Sequence, residues 1–153
     1  MPGTKLLVTI LILFTATIAL PAQADQKWPP LSYLRSDYRD SSVVAHVRVT
    51  EAEVVNRIVG LEDWRVTAEI IEPFKGKFRK GETISYYVGA EAGFRKELFL
   101  GKKIVFLHRN FHENEKSWVY AAIENSTLAF NEDRVRKLRI IQRSARGRRS
   151  KKS

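Results

Sequence analysis

Three histidines are the residues of this 153-residue chain whose types and spacing first suggest chemistry. His108 and His112 are four residues apart, a spacing that holds a metal ion when it falls on a helix. Here Glu113 follows the second histidine and not the first, and the segment leaves a predicted strand. We therefore interpret it as a turn with two exposed imidazoles. We expect His46, on the polar face of the first predicted strand, to be solvated or at a barrel rim. A metal-dependent hydrolase that uses His46, His108 or His112 is the weakest hypothesis.

Acidic and nucleophilic residues give no catalytic pattern. No Ser nucleophile elbow, phosphate-binding loop or dinucleotide-binding glycine motif is present. The absence of cysteine excludes a disulfide framework, a thiolate metal site and a Cys nucleophile. Solvation and helix capping explain the carboxylate pairs, which are Glu62-Asp63, Glu113/Glu115 and Glu132-Asp133. We therefore predict a protein that is not an enzyme, with no catalytic residue, no cofactor and no metal.

The C-terminal 20 residues carry the whole positive excess of the chain. The formal net charge is +10, yet the first 133 residues hold 17 basic and 17 acidic side chains. The ten candidate anion-binding residues are Arg134, Arg136, Lys137, Arg139, Arg143, Arg146, Arg148, Arg149, Lys151 and Lys152. Each cation near an anionic membrane contributes about 1 kcal/mol. We expect anionic lipid, lipopolysaccharide or an acidic polymer as the partner of this end.

A second basic stretch joins the second and third predicted strands. Its cations are Lys75, Lys77, Arg79 and Lys80, and Phe74 and Phe78 interleave with them. Basic residues with aromatic rings suit single-stranded nucleic acid, because bases stack on the rings. The alternative is a solvated hairpin whose two phenylalanines pack inward. We do not expect nucleic acid as a physiological partner, because the chain is expected to be exported.

Residues 1–24 have the pattern of a secretory signal peptide. Lys5 gives the positive start, and an apolar run from Leu6 to Leu20 follows. Pro21 ends the run before Ala22-Gln23-Ala24, a small-x-small cleavage site. An uncleaved anchor would need about 20 apolar residues. We predict cleavage between Ala24 and Asp25, and a periplasmic or secreted protein.

Hydrophobic alternation predicts a mainly β body between two helical segments. The segment 25–41 is extended and then helical, with Ser32 as a possible N-cap. Five strands follow, predicted at Val43–Val55, Trp64–Glu72, Thr83–Gly89, Lys103–Arg109 and Trp118–Ile123. Val49 and Ala52 fall out of phase in the first strand, which indicates a β-bulge or a bend. Pro73 is expected to end the second strand, and Asn125-Ser126-Thr127 to begin a loop.

The C-terminal cations are expected to lie partly on an amphipathic helix over residues 131–145. Asn131 can act as its N-cap, and an apolar stripe is formed by Val135, Leu138 and either Ile141 or Ile140. This stripe either docks on the body or inserts at a lipid interface. Residues 146–153, with Gly147 near their start, are predicted to be a disordered basic tail.

The order of these elements, with an irregular segment between the third and fourth strands, is that of an OB-fold barrel. Three segments then resemble the netrin-like domains, the group that includes the tissue inhibitors of metalloproteinases. They are Ser42–Val49, Glu69–Gly76 followed by Lys80–Ile84, and Gly101–Leu107. The resemblance implies an OB-like barrel over residues 42–130. It does not imply metalloprotease inhibition, because the zinc-chelating N-terminal cysteine of those inhibitors has no counterpart here.

The sequence therefore predicts an exported small binding module whose polycationic C-terminus contacts anionic envelope components. The alternative is a module for a protein partner, such as a protease or hydrolase inhibitor, which would use the rim of the barrel as a wedge.

Overall fold

The computed structural model of the chain describes residues 29–113 and 115–150, with the side chains of 123–126 and 149–150 left aside. The predicted signal peptide and its cleavage site lie outside these residues. The described chain is mainly β, with a helix at each end, as the sequence predicts. Its elements are α1 (Leu31–Asp40), β1 (Val43–Ile58), β2 (Leu61–Lys75), β3 (Thr83–Glu91), a 3₁₀ turn (Lys96–Leu98), β4 (Gly101–His112), β5 (Ser117–Ala129) and α2 (Glu132–Ser150).

The five strands pair in a closed ring in the order β1-β2-β3-β5-β4, with β4 pairing back to β1. The pairs β1–β2, β2–β3, β1–β4 and β4–β5 are antiparallel. The ring closes through a short parallel contact between β3 and β5, in which Tyr87 faces Ala121 and Val88 faces Ala122.

Alternation along β1 directs one set of side chains into the ring, because successive residues of a strand point to opposite faces. Val49 pairs with Ala68 and Glu51 pairs with Thr67, so Thr50 has no opposite residue. This confirms the predicted β-bulge. The extra residue restores the phase, and Ala52 is again buried inside the ring.

The protein has two apolar layers. The inner layer fills the ring and is built from buried residues of all five strands, with Phe99 from the segment before β4. The outer layer lies between the strands and the two helices, and its buried members are Leu34, Tyr38, Val44, Phe74, Ile104, Phe106, Val135, Leu138 and Ile141. Strand β4 contributes alternate residues to both layers, as its continuous apolar run predicts.

The end of β2 attaches both helices. The prediction that Pro73 ends this strand is wrong, because β2 continues to Lys75 through a second bulge. Val44 pairs with Lys75 and Ala45 with Pro73, which leaves Phe74 unopposed. The Phe74 carbonyl accepts hydrogen bonds from Tyr38 Oη (2.8 Å) and from Gln142 Nε2 (2.9 Å). The Phe74 carbonyl, at a position with no opposite residue on β1, therefore accepts a hydrogen bond from each helix.

The apolar stripe of α2 is docked on the ring. Val135, Leu138 and Ile141 are buried, and Ile140 is exposed. Of the two isoleucines considered for the stripe, Ile141 is therefore the one that belongs to it. Burying such side chains stabilises by roughly 1.5–3 kcal/mol each. The predicted N-cap is confirmed, because Asn131 Oδ1 accepts the backbone N–H of Asp133 (2.8 Å). In this arrangement the stripe is not presented to a lipid interface.

Three further expectations about the ends of elements are wrong. Helix α2 runs to Ser150, so residues 146–150 are helical and not a disordered tail, while residues 151–153 lie outside the described part. Strand β5 runs to Ala129, because residues 127–129 pair with β4 where a loop was expected. Ser32 lies inside α1, whose N-cap is Pro30 without a side-chain hydrogen bond.

Candidate functional site

The cations in the first half of α2 form ion pairs and hydrogen bonds with other groups of the protein. The Arg139 guanidinium donates to both carboxylate oxygens of Glu72 at 2.8 Å, and this holds the pKa of Glu72 below its usual range. Lys137 Nζ lies 2.7 Å from Asp133 Oδ2, and Arg136 pairs with the same carboxyl group. Arg134 donates to the Ala129 carbonyl at 2.7 Å. Four of the ten predicted anion-binding residues are thus engaged in internal contacts.

The second half of α2 presents its cations to solvent. Arg143, Arg146 and Arg148 are exposed and form no ion pair with any carboxylate of the described residues. The Arg149 side chain and residues Lys151 and Lys152 lie outside the described part. The ten predicted anion-binding residues therefore do not form one uniform set. Some are paired within the protein, and others are exposed to solvent.

A groove of about 630 Å³ separates α1 from the second half of α2, and we call it the basic groove. Its lining residues are Ser32, Arg35, Ser36, Tyr38 and Arg39 from α1, Lys75 from β2, and Ile141, Ser144, Ala145 and Arg148 from α2. The α1 members recur three and four residues apart, which places them on one face of that helix. The lining contains four cations and no carboxylate.

The cations of the basic groove differ in how firmly they are held. Lys75 Nζ donates to the carbonyls of Tyr38 (2.8 Å) and Arg39 (2.9 Å), which lie in the last turn of α1, where a cation is favoured. Arg39 pairs with Asp40, whose pKa is held below its usual range mainly by that hydrogen bond. Arg35 has no carboxylate partner among the described residues. The groove therefore combines a fixed ammonium group with guanidinium groups that can turn toward a ligand.

The second basic stretch is not a base-stacking loop. Lys75 belongs to β2, and only Lys77, Arg79 and Lys80 lie in the exposed turn that follows. Phe74 is buried in the outer layer, and Phe78 packs against the inner layer and edge-to-face on Tyr120. Both rings face inward, which agrees with the solvated-hairpin alternative.

His46 is buried, so the expectation that it is solvated or at a rim is wrong. Its side chain is 6% exposed and stacks on Phe130 with ring centroids 4.6 Å apart. Its Nε2 atom has no hydrogen-bond partner among the described residues. Burial, and next the charge of Lys102, lower its pKa. The ring borders a cleft of about 660 Å³ under the first half of α2, which Glu72 and Arg139 also line.

His108 and His112 lie in strand β4 and not in a turn, and both are half-buried. Four residues of strand span about 13 Å, so the two imidazoles cannot share one metal ion. His112 Nδ1 accepts the backbone N–H of Glu115 at 3.4 Å. Within the described part of the chain, no three His, Asp or Glu side chains form a group that could hold a metal ion.

A third cavity, of about 450 Å³, lies where β3 and β5 diverge, and sequence reasoning missed it. We call it the aromatic cavity; its lining residues are Arg65, Ser85, Tyr87, Glu115, Trp118, Val119 and Tyr120. The signal available in the sequence was Trp118 at the start of the fifth predicted strand, next to a predicted turn. Lys75 and Trp118 line different cavities, and His108 lines neither of them.

Comparison with known proteins finds no matching family model, no matching curated protein and no matching solved structure. None of the helices among residues 29–113 and 115–150 has the length and apolar character needed to cross a membrane.

Proposed function

We propose that this chain is an exported binding module, built on an OB-like barrel of the netrin-like kind, that holds anionic envelope components in the basic groove. The ring order of the strands and the segments 42–49, 69–76, 80–84 and 101–107 support the choice of scaffold. The observation that carries the function is the lining of the groove, with four cations from two helices and a strand end and no carboxylate.

A phosphate or carboxylate group fits this lining for a physical reason. Guanidinium groups bind planar or tetrahedral anions through two parallel hydrogen bonds. The Ser32 hydroxyl borders the same space and can donate to a further oxygen, whereas the Ser36 and Ser144 hydroxyls donate to Asp40 and to the Ile140 carbonyl. Arg143 and Arg146 extend the positive surface along α2 beyond the groove. The groove holds no pair of groups suited to acid–base or nucleophilic chemistry, so we assign it binding alone.

Export supports an envelope component as the partner. The predicted signal peptide directs the chain out of the cytoplasm, where phospholipid headgroups, lipopolysaccharide and acidic polymers present anionic groups. Surface attraction of this type decays over a Debye length of about 8–10 Å at moderate salt, so binding is expected to weaken as salt is raised.

Sedimentation with vesicles tests the proposal. The mature chain from Asp25 is expected to bind phosphatidylglycerol vesicles and not phosphatidylcholine vesicles. The double variant Arg35→Gln/Arg148→Gln removes the two groove guanidinium groups that form no ion pair within the described residues. At about 1 kcal/mol each, its affinity should fall by about thirtyfold. Competition by lipopolysaccharide and by soluble polyglutamate then distinguishes a lipid headgroup from a polymer.

The matched control is Arg95→Gln/Lys96→Gln, which removes the same charge from an exposed segment that does not line the groove. An equal loss in both double variants would show that net charge, and not the groove, drives binding. Unchanged vesicle binding after deletion of residues 134–153 would contradict the proposal altogether.

A second candidate, a module for a protein partner, is favoured by one end of the ring. Ile58, Val59 and Leu61 are exposed at the β1–β2 turn, and Val59 is fully exposed. The segment that contains the exposed Phe94 is joined to this turn, since the Ala92 N–H donates to the Gly60 carbonyl at 3.0 Å. Exposed apolar clusters of this kind are typical of protein interfaces. A partner retained at high salt by the chain lacking residues 146–153, and lost in Ile58→Ser/Val59→Ser, would support this candidate over the first.

A further inference from the structure

The β4–β5 hairpin carries an aromatic surface that neither apolar layer needs. Trp118 is 62% exposed and Phe111 is 46% exposed, and neither belongs to the inner or outer layer. The two residues are cross-strand partners, and their rings meet edge to face with centroids 5.8 Å apart. Large rings held in water on a folded surface indicate a contact site.

The Trp118 ring is fixed before any ligand arrives. The Arg109 guanidinium lies over the Trp118 ring, 5.6 Å from its centroid, and the Phe111 ring contacts it in an edge-to-face geometry. Arg109 and Phe111 are two residues apart on β4, so both point to the face of the hairpin on which Trp118 lies. A side chain that is already ordered loses little conformational entropy on binding.

Four other lining residues, Arg65, Ser85, Tyr87 and Glu115, are polar, and three of them are joined by direct contacts. Tyr87 Oη donates to the Glu115 carboxylate, and Arg65 Nη1 lies 3.8 Å from the same carboxylate. Arg65 is also held by Glu53, with Nη2 2.7 Å from Oε1. The Ser85 hydroxyl lies beside them and is exposed. The cavity lining thus combines aromatic side chains with donors and acceptors that internal contacts hold in position.

Charge separates this cavity from the basic groove. The lining contains one cation, Arg65, and one carboxylate, Glu115, and Arg65 is paired more closely with Glu53 than with Glu115, so the lining carries no positive excess. A polyanion gains nothing from such a lining, and Glu115 repels it. The ligand that fits is uncharged, with an apolar face for Trp118 and hydroxyl groups for Arg65, Glu115 and Ser85. A pyranose ring has this arrangement, since one face presents C–H groups and its rim presents hydroxyls.

We infer that the aromatic cavity is a saccharide-binding site, with Trp118 as the stacking platform and Glu115, Arg65 and Tyr87 as the polar contacts. A volume of about 450 Å³ lies in the usual range of small-molecule sites and accommodates a short oligosaccharide. The site is separate from the basic groove and does not depend on the function proposed for it.

Tryptophan fluorescence tests the inference. A Trp28→Phe background leaves Trp64, which is 6% exposed, and Trp118 as reporters. The titrants are chitobiose, chitotriose, cellobiose and maltose. Binding should shift the emission to the blue and protect Trp118 from acrylamide, and added salt should leave the affinity unchanged. Trp118→Ala should abolish binding, which is measured by isothermal titration calorimetry because this variant lacks the fluorescent reporter Trp118. Glu115→Gln, which keeps the platform, should weaken binding about tenfold through loss of a charge-assisted hydrogen bond.

The matched control is Arg35→Gln/Arg148→Gln, which should bind the saccharide as the parent does. Circular dichroism and urea unfolding establish that each variant is folded. The inference is overturned if none of the four saccharides protects Trp118, or if Trp118→Ala retains the parent affinity. It is also overturned if oligo(dT) binds Trp118 more tightly than every saccharide and in a salt-dependent way, because the surface is then a platform for single-stranded nucleic acid.

Discussion

The two halves of α2 contain the same kinds of residue and present them in opposite ways. In the first half, Arg139 is paired with Glu72, while Arg136 and Lys137 share Asp133. In the second half, Arg143, Arg146 and Arg148 have no carboxylate partner in the described part of the chain. A basic helix is therefore not a uniform anion-binding surface. The position of the acidic partners decides which cations are available.

The partners come from two different ranges of the sequence. Asp133 lies three and four residues before its cations, a spacing that brings helical side chains together. Glu72 lies 67 residues before Arg139 and reaches it only because α2 crosses β2. Salt bridges of this exposure contribute at most about 1 kcal/mol each. Their importance here is that they withdraw charge from one half of the helix.

The largest expected effect is on the free energy of unfolding, and it comes from weakening the docking of α2 on the ring. The difference between the two halves of α2 depends on this docking. Leu138 is fully buried in the outer layer, and Leu138→Ala should lower the free energy of unfolding by about 2–5 kcal/mol. The measurement is urea unfolding followed by circular dichroism. Ile140→Ala is the control on the same helix, since Ile140 is 46% exposed and should change stability by less than about 0.5 kcal/mol. Equal effects of the two substitutions would contradict the docked orientation.

Releasing Arg139 should make the first half resemble the second. In Glu72→Gln the guanidinium loses its carboxylate partner, so affinity for phosphatidylglycerol vesicles should rise by about fivefold, the value of one cation. The free energy of unfolding at neutral pH should fall by up to about 1 kcal/mol, a modest loss because Arg139 is 54% exposed. Asp63→Gln, at a carboxylate of β2 outside the α2 contact, serves as the control in the vesicle assay.

The pH dependence of that loss has a defined sign. Arg139 lowers the pKa of folded Glu72 below its unfolded value of about 4.5, so the stabilisation is complete above that pH. It disappears as the pH falls through the folded pKa. The difference in stability between the parent and Glu72→Gln should therefore shrink in acid. A difference that stays constant down to about pH 3 would contradict the assignment of this pair.

The smallest expected effect is a pH dependence of stability that acts on the first half of α2 and not on the second. Burial lowers the pKa of His46. The charges of Lys102, Arg139 and Arg48 lower it further, while the charge of Glu72 raises it. The folded state therefore resists protonation of this ring. Stability should decline as the pH falls from about 6.5 toward the lower pKa of the folded state. His46→Phe keeps a ring against Phe130 and should remove this part of the pH dependence.

Hydrogen exchange of α2 amides locates the effect. Because His46 borders the cleft under the first half of the helix, mild acid should weaken protection near Arg136 and Arg139 before it affects Arg146. His108→Phe is the control, since His108 does not line that cleft. A decline of the same size in His46→Phe and in the parent would refute this role for the buried ring.

Local sequence signals predicted the elements well where a single hydrophobic periodicity, that of a strand or that of a helix, dominates. The alternation of β1 and the phase change after Val49 predicted both the strand and its bulge at Thr50. Asn131 predicted the start of α2, and the spacing of Val135 and Leu138 predicted its buried face. These features depend on residues close together in the chain, so the sequence displays them directly.

The failures arise where distant contacts outweigh local preference. Pro73 breaks an isolated strand, but a bulge accommodates it and the helices bind the carbonyl that follows. Gly147 costs a helix about 1 kcal/mol, which a helix anchored by its docked first half tolerates. The basic groove and the aromatic cavity each combine residues from three or more segments of the sequence. No local pattern could have placed Arg35 beside Arg148.

The attachment of both helices at the Phe74 carbonyl also determines how the protein should respond to mechanical load. Ser32 and Arg148 border the same groove, so the chain enters and leaves the described body at one place. A force that pulls these two ends apart acts first on the contact between α1 and α2 and on the hydrogen bonds from Tyr38 and Gln142. We expect the helices to detach before the strands separate, which would leave the ring as the more force-resistant unit.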